Sequence, residues 1–467
     1  MLWRKLIRSS IPLQILALAA SASAAVPVQG PMPAAMPEDL LPDLKRLLDV
    51  GLRQAPSMLS ANLDLASAEG QRIVNRAVLF PTLSANGQYA YTETAVSSNT
   101  DSRSKTNGPL YGLNFYQPLF QWGTLKAQAD IGKLQLRISE KSYVEAYRLL
   151  ALSIRTQYLT LIEKKITLRN QRFAVRVAES TLSVQEARLR DGRISAGDIT
   201  GFRLSVDEAR IFADKALEDY DSTRHTLARI VGLSDIPDDS IPVEVPKPTF
   251  APETIGSYFE EMKRVGAENS VMLSTFEDQI KSSELNYKIA KYRLFPKFNI
   301  VASFGQSNQT QVDTVTKQPT LTAITTTQVG VGGNWTIFDG LATRGAKMSA
   351  LAARRLAELK LKQYKESVDD TARQLERQIG FSGRLMDLTQ VRKELTAAAI
   401  EKVGNDVRSG VSSQNTLDIV TQNANTADLT AMDARSEFLI KWSTYVSVLG
   451  VDPILKTLPS RNSRNGK

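Results

Sequence analysis

Few residues in this chain could do covalent or acid–base chemistry. Among 467 residues there is no cysteine and one histidine, His225. A thiol nucleophile, a thiolate zinc site, an iron–sulfur cluster and a disulfide are excluded. One histidine excludes a His-pair metal site and leaves little basis for a Ser-His triad. His225 sits in Thr223-Arg224-His225, a helical stretch with no catalytic motif around it. No enzyme activity, metal or other cofactor is expected. The remaining charged residues of interest gather at two glycine turns, Arg190-Asp191-Gly192-Arg193 and Arg408-Ser409-Gly410, with Asp406 just before the second. Asp198 follows Ser195, and Asp418 follows Asn415, each three residues on. That spacing is a capping box, so both acids are expected to start helices, where the dipole favours them.

The rest of the chain must explain why charges gather there. Lys and Arg total 58 and Asp and Glu 49, a formal charge of +9. Residues 1–24 read as a secretory signal: basic Arg4, Lys5 and Arg8, an apolar Ile11–Ala20, and the cleavage pattern Ala22-Ser23-Ala24. Three of the excess positive charges fall there and four in Lys456–Lys467, leaving the body near neutral. No basic face for nucleic acid is expected. No later apolar run is long enough for a membrane-spanning helix, so an exported chain of this kind is soluble or part of a β-barrel.

An internal repeat organises the chain. Leu79-Phe80-Pro81 returns as Leu294-Phe295-Pro296, an offset of 215. The offset then settles at 218, where Phe120 matches Phe338, Gly192 matches Gly410 and Gly232 matches Gly450. The expected layout is a signal over 1–24, an extended segment over 25–39 and repeat 1 over 40–236. A Pro-rich linker over 237–252, repeat 2 over 253–452 and a basic tail over 453–467 complete it.

Each repeat predicts the same elements. A helix of about 40 residues runs up to Pro81 or Pro296, which end it. Two strands follow, near 82–92 and 110–120 in repeat 1 and near 297–306 and 327–338 in repeat 2. Leu83, Ala85, Gly87, Tyr89 and Tyr91 alternate with polar, uncharged neighbours, as do Tyr111, Leu113 and Phe115. Phe298, Ile300, Ala302 and Phe304 do the same, and so do Val329, Val331, Trp335 and Ile337. That period of two fits one lipid-facing and one water-facing side, with the aromatics at the membrane interface. The polar stretches Ser97–Asn107 and Ser307–Thr326 are expected as exposed loops. A helix of about 65 residues then spans roughly 100 Å. Apolar series such as Tyr147, Leu150, Ile154, Tyr158 and Leu161, or Tyr364, Val368, Ala372, Leu375 and Ile379, give it a packing stripe. A glycine turn and a returning helix of about 40 residues complete the repeat.

Four strands cannot close a membrane barrel, and an open edge in lipid strands backbone groups. The chain must therefore share a closed, cyclic homo-oligomer. Two, three or four copies would give 8, 12 or 16 strands.

The ordered set of motifs resembles the TolC family of outer-membrane efflux and secretion channels. Its carriers are the repeat itself, Leu79-Phe80-Pro81 entering the first strand, Gln117-Pro118-Leu119-Phe120-Gln121-Trp122-Gly123 leaving the second, and Trp335-Thr336-Ile337-Phe338-Asp339-Gly340 as its counterpart. Pro81, Pro118 and Pro296 mark helix–strand transitions on this reading. The resemblance implies a mainly α protomer with membrane β, three of which form a 12-stranded outer-membrane barrel and a long periplasmic α-helical tunnel. It implies a homotrimer in outer-membrane lipid that docks a periplasmic adaptor (membrane fusion) protein and an inner-membrane transporter. The product would be a passive duct for type I secretion or multidrug efflux, and the missing Cys suits the unlipidated members. Gly192 and Gly410 would be tip turns. Asp198, Asp406 and Asp418 are candidates to line the closed entrance, although Thr416 stands in repeat 2 where Asp198 stands in repeat 1. Arg190, Arg193 and Arg408 would hold that entrance shut or contact an adaptor. A trimeric coiled-coil spacer or adhesin with a barrel anchor is the alternative. Strand pairs inside both repeats argue against it.

Overall fold

The computed structural model describes residues 34–96, 102–249, 259–266, 270–312 and 319–458, with residues 94–96, 102–106, 308–312 and 319–322 described by backbone alone. The expected signal segment and the end of the basic tail lie outside these residues. Eight helices take labels here: α1 (Pro37–Leu40), α2 (Pro42–Gln54), α3 (Pro56–Ala77), α4 (Thr124–Arg190), α5 (Ala196–Val231), α6 (Val271–Lys291), α7 (Ala342–Arg408) and α8 (Gln414–Val448). The strands are β1 (Thr82–Val96), β2 (Ser102–Phe120), β3 (Lys297–Val312) and β4 (Pro319–Asn334).

The two long helices are each 67 residues, as the near-absence of Gly and Pro predicts. Their returning partners have 36 and 35 residues. The stripe from Tyr147 to Leu161 is buried throughout. Gly380 interrupts nothing; α7 runs through it.

The single helix expected before each strand pair is instead broken. Pro42 and Pro56 each open a new helix at its first position, where a missing N–H is tolerated. In repeat 2, residues 259–266 are helical and α6 starts afresh from Ser270, whose hydroxyl accepts the Leu273 N–H. Helices α3 and α6 end at Ala77 and Lys291, short of the prolines. Pro81 and Pro296 stand directly before β1 and β3.

The strands are also longer than expected, and most of both predicted loops is strand. Polarity there marks a change of environment and not the end of the backbone ladder, which Thr-rich sequence sustains. At its other end β4 stops at Asn334, so Trp335 and Ile337 lie beyond the sheet. The Trp335 indole instead donates to the Leu294 carbonyl. Pro118 sits inside β2, where the register to β3 shifts between Pro118 and Phe120 because proline offers no N–H.

The first and last described segments join the core. Ala34 and Met36 are buried, and the turn Pro453–Thr457 buries Ile454. Residues 237–249 hold one short turn and are otherwise irregular, and they are anchored: Ile241 and Val245 are buried, as is Ile236 just before them, and Lys165 donates to the carbonyls of Asp238 and Ile241 at 2.7 and 2.8 Å.

Arg155, in the middle of α4, clasps these ends. It is fully buried. Its guanidinium donates to Glu38 at 2.9 Å and to Asp452 at 3.0 Å, with a second, shorter bond to each. Burial alone would lower its pKa, but Asp452 and then Glu38 hold it above the ordinary arginine value. Removing one member of a buried charge cluster strands the others. Arg155→Met should therefore cost about 3–5 kcal/mol, read as a lower melting temperature of the helical circular-dichroism signal. Asp452→Asn should cost less, because Glu38 still pairs with the arginine.

Candidate channel wall and helix tips

The four strands form one antiparallel sheet in the order β1-β2-β3-β4, so β2 and β3 join the two repeats directly. Residues opposite one another share a face. On one face, Leu83 lies opposite Phe115, Ala85 opposite Leu113, and Gly87 opposite Tyr111. The same face continues as Leu113–Phe304 and Phe115–Ala302, then Ile300–Val331 and Ala302–Val329. Tyr89, Tyr91, Phe298 and Leu83 on it are exposed in the protomer. The other face carries Asn86, Asn114, Ser303 and glycines. There the Asn114 amide donates to Asn86 at 3.0 Å and the Tyr116 hydroxyl to Asn299 at 2.8 Å. One face thus suits hydrocarbon and the other water.

The sheet does not close on itself. β1 and β4 are edges of 15 and 16 residues. The helices below continue the same order. Next to the sheet α3, α4, α6 and α7 lie side by side; further away the row is α5, α4, α8 and α7. One lateral edge of the protomer is therefore β1, α3 and α5, and the other is β4 and α7. Both helical edges are apolar and open. Phe381, Leu388 and Leu395 repeat every seven residues on α7 and are about two-thirds exposed, with Val391 between them. Leu59, Leu63, Leu204 and Ile211 are similarly exposed on α3 and α5. Such seams call for a helical partner.

At the far end each long helix stops in the same way. The Arg193 N–H donates to the Arg188 carbonyl at 2.8 Å and the Gly192 N–H to Leu189 at 3.0 Å. Val411 and Gly410 repeat both bonds with Asp406 and Val407. Gly192 and Gly410 have φ of 69° and 75°, the left-handed conformation that such a stop requires.

The first tip closes as expected: Asp198 accepts the Ser195 N–H at 3.0 Å and the Ser195 hydroxyl at 2.8 Å, completing a capping box. The second does not use Asn415 and Asp418. Its cap is Ser413, whose hydroxyl accepts the Thr416 N–H, and Asp418 accepts a bond from Gln414 within the helix. The chain leaves its turn two residues earlier than that spacing suggested, keeping the offset of 218 from Ser195. Asp198, Arg190, Arg193 and Arg408 are exposed, while Asp406 and Asp418 are half-buried. Arg193 lies 3.9 Å from Asp191 in its own turn, and Arg408 bonds Asn405 in its own helix. His225 lies on the exposed side of α5, in an open groove with Asp214, Glu218 and Asp221.

Residues 47–233 match the outer membrane efflux protein family. That match spans most of repeat 1. No curated protein sequence matches the chain. In fold, the whole chain is similar to the Campylobacter jejuni CmeC outer membrane channel, with a TM-score of 0.69 at 12% identity over 91% of both chains. It is also similar to the outer membrane protein VceC from Vibrio cholerae, with a TM-score of 0.60 at 17% identity over 89% of this chain and 98% of that one. The open state of the Neisseria gonorrhoeae MtrE outer membrane channel gives 0.60 at 16% identity, over 89% and 90%. The fold shared with these channels, mainly α with one antiparallel sheet, therefore covers both repeats.

Sequence reasoning missed a belt of charge midway along the helices. Asp428 of α8 receives Arg169 of α4 and Lys393 of α7, both at 2.8 Å, and Lys393 also reaches Glu244 of the linker at 3.1 Å. Burial would raise the Asp428 pKa, but Lys393 and Arg169 hold it below the usual value. No motif links these four positions in sequence. Nearby, burial and then the Glu163 charge push Asp433 up to about 6, only partly offset by Lys164. Its Oδ1 is buried without a hydrogen-bond partner.

Two pH effects follow with opposite sign. The Ser195 hydroxyl and then its N–H hold the Asp198 carboxyl below the usual range. The tip cap is complete above an ordinary carboxylate pKa and is lost as pH falls through the depressed one. Asp198→Ala should therefore raise amide exchange at the start of α5 at neutral pH, and exchange in the two proteins should converge in strong acid. Asp433 behaves oppositely. Its neutral form suits the fold, so acidification toward pH 5 should tighten the α4–α8 contact. Asp433→Asn should raise the melting temperature at pH 7 and flatten its rise between pH 7 and 5.

Proposed function

We propose that the chain is one protomer of a passive outer-membrane exit duct, extending into the periplasm and serving a tripartite efflux or type I secretion system. The observation that carries this reading is the four-stranded sheet. It has one apolar face, one polar face and two open edges, and all four strands continue into the helical wall below. A closed cyclic assembly is the way to satisfy those edges in lipid. Three copies give 12 strands, which fits the resemblance to trimeric channels. The polar sheet face and the inner helical surface line the duct. Transport energy comes from an inner-membrane transporter, joined through a periplasmic adaptor at the helix tips. No catalytic group is required.

At the tips, Asp198, Asp406 and Asp418 line the constriction by symmetry and favour cations. Arg190, Arg193 and Arg408 sit at the same turns and either hold the closed form or meet the adaptor.

Reconstitution in a planar bilayer tests both levels. The protein should run as a trimer in native mass spectrometry and conduct. Neutralising Asp198, Asp406 and Asp418 together should leave the trimer intact and lower cation over anion selectivity severalfold. An unchanged selectivity would remove the tip assignment. A trimer that never conducts would favour a spacer.

A further inference from the structure

The near-neutral body of the chain conceals a basic collar where the helices meet the sheet. The start of β1, the end of β2, the start of β3 and the end of β4 all lie on one rim. Within about two helical turns of that rim stand Arg76 at the end of α3, Lys126 at the start of α4, Lys288 and Lys291 at the end of α6, and Arg344 at the start of α7. All five side chains are exposed. None has an acidic partner among the described residues. The acids of this zone are already engaged. Asp339 caps α7 by accepting the Thr343 N–H at 2.9 Å and lies 3.8 Å from Arg293, while Asp130 pairs with Lys133 at 3.0 Å.

Helix electrostatics explain only part of the collar. Arg76, Lys288 and Lys291 lie in last turns, where the macrodipole welcomes cations. Lys126 and Arg344 lie in first turns that contain no acid, where it opposes them. They occupy equivalent positions, 218 residues apart, so both repeats keep the opposed charge. Lys288 adds to it: its Nζ lies 3.1 Å from where a side-chain carbon on Gly123, the residue preceding α4, would stand. Such a concentration of like charge lacks its counter-charge among the described residues.

Aromatic rings interleave with these cations. Trp122 packs edge-on to Phe120 and Phe295, with centroids 5.1 and 5.0 Å away, and stacks on Tyr292 at 6.5 Å. The Trp122 indole donates to the Pro296 carbonyl at 2.8 Å. Arg76 lies over the Phe80 ring and Lys291 over Tyr292. Partly exposed Trp and Tyr among basic residues, bordering an apolar sheet face, have the composition of a membrane–water interface.

We propose that this collar binds anionic phospholipid headgroups of the leaflet on the helical side of the barrel. The aromatic rings lie at the glycerol level and the Lys and Arg side chains reach outward to phosphates. The inference rests on the barrel reading above and adds a lipid preference to it. Copies related by the assembly's symmetry turn the patch into a continuous ring.

The test uses the full-length assembly reconstituted in phosphatidylethanolamine nanodiscs with or without phosphatidylglycerol, and native mass spectrometry of the lipids retained on release. The unmodified protein should retain phosphatidylglycerol preferentially, and that preference should fade as salt shortens the Debye length. In K126Q/R344Q/K288Q/K291Q, retention should weaken by about fivefold for each cation removed, with trimer and conductance unchanged. Equal retention of both lipids by the unmodified protein would overturn the proposal, as would undiminished preference in the variant. A variant that keeps its lipids but changes ion selectivity would place the cations in the duct and overturn it too. In each of those cases conductance of the unmodified channel leaves the channel reading standing. An unmodified protein that neither inserts nor conducts overturns both.

Discussion

Hydrogen bonding at the two sheet edges is the constraint on which this architecture depends. β1 and β4 each present a row of backbone N–H and C=O groups along an apolar face. Hydrocarbon offers those groups nothing, and each unpaired group costs several kcal/mol. Neither packing nor charge inside one protomer can relieve that. The helical edges repeat the condition in weaker form, since α3, α5 and α7 leave apolar seams uncovered. Because β1 lies above α3 and α5, and β4 above α7, one rotation can satisfy sheet and helices together.

The interior of the protomer serves this geometry. Arg155 draws the first helix and the residues after the last one onto the middle of α4, while Lys165 and Arg435 hold the linker through its carbonyls. The two repeats become one slab, with their joint in the core and only the outer edges left open. A buried ion cluster gains little stability over apolar packing. Its value here is placement, because a shifted clasp would tilt one hairpin against the other.

Much of this was legible in the chain. Period-two alternation and the proline positions located the strands, and the offset of 218 located four helix ends and both tip glycines. Long runs nearly free of Gly and wholly free of Pro gave the length of the great helices closely. What failed depended on competition between neighbours. Asn415 and Asp418 have capping-box spacing, but Ser413 starts the helix first. Thr-rich segments looked like loops by polarity and are strands because the ladder continues. Pro42 and Pro56 were overlooked because proline in a first turn breaks a helix without leaving a polar gap. The belt around Asp428 and the collar around Lys126 draw on residues hundreds apart, so no window of sequence contains them.

The corner between sheet and long helix carries a mechanical implication. Trp122 and Gly123 have φ of 55° and 77°; their equivalents Gly340 and Leu341 have 61° and 69°. Both repeats thus place two successive residues in the left-handed region, but the glycine has moved from the second place to the first. A bulky residue held there is strained, and the surroundings must fix it in place. The bend is therefore a stiff elbow whose shape outlives its sequence. Each arm beyond it is roughly 100 Å long, so one degree of give would swing its tip by about 2 Å. Rigid elbows at the membrane keep that leverage small, and any opening motion must be taken up by twist along the helices themselves.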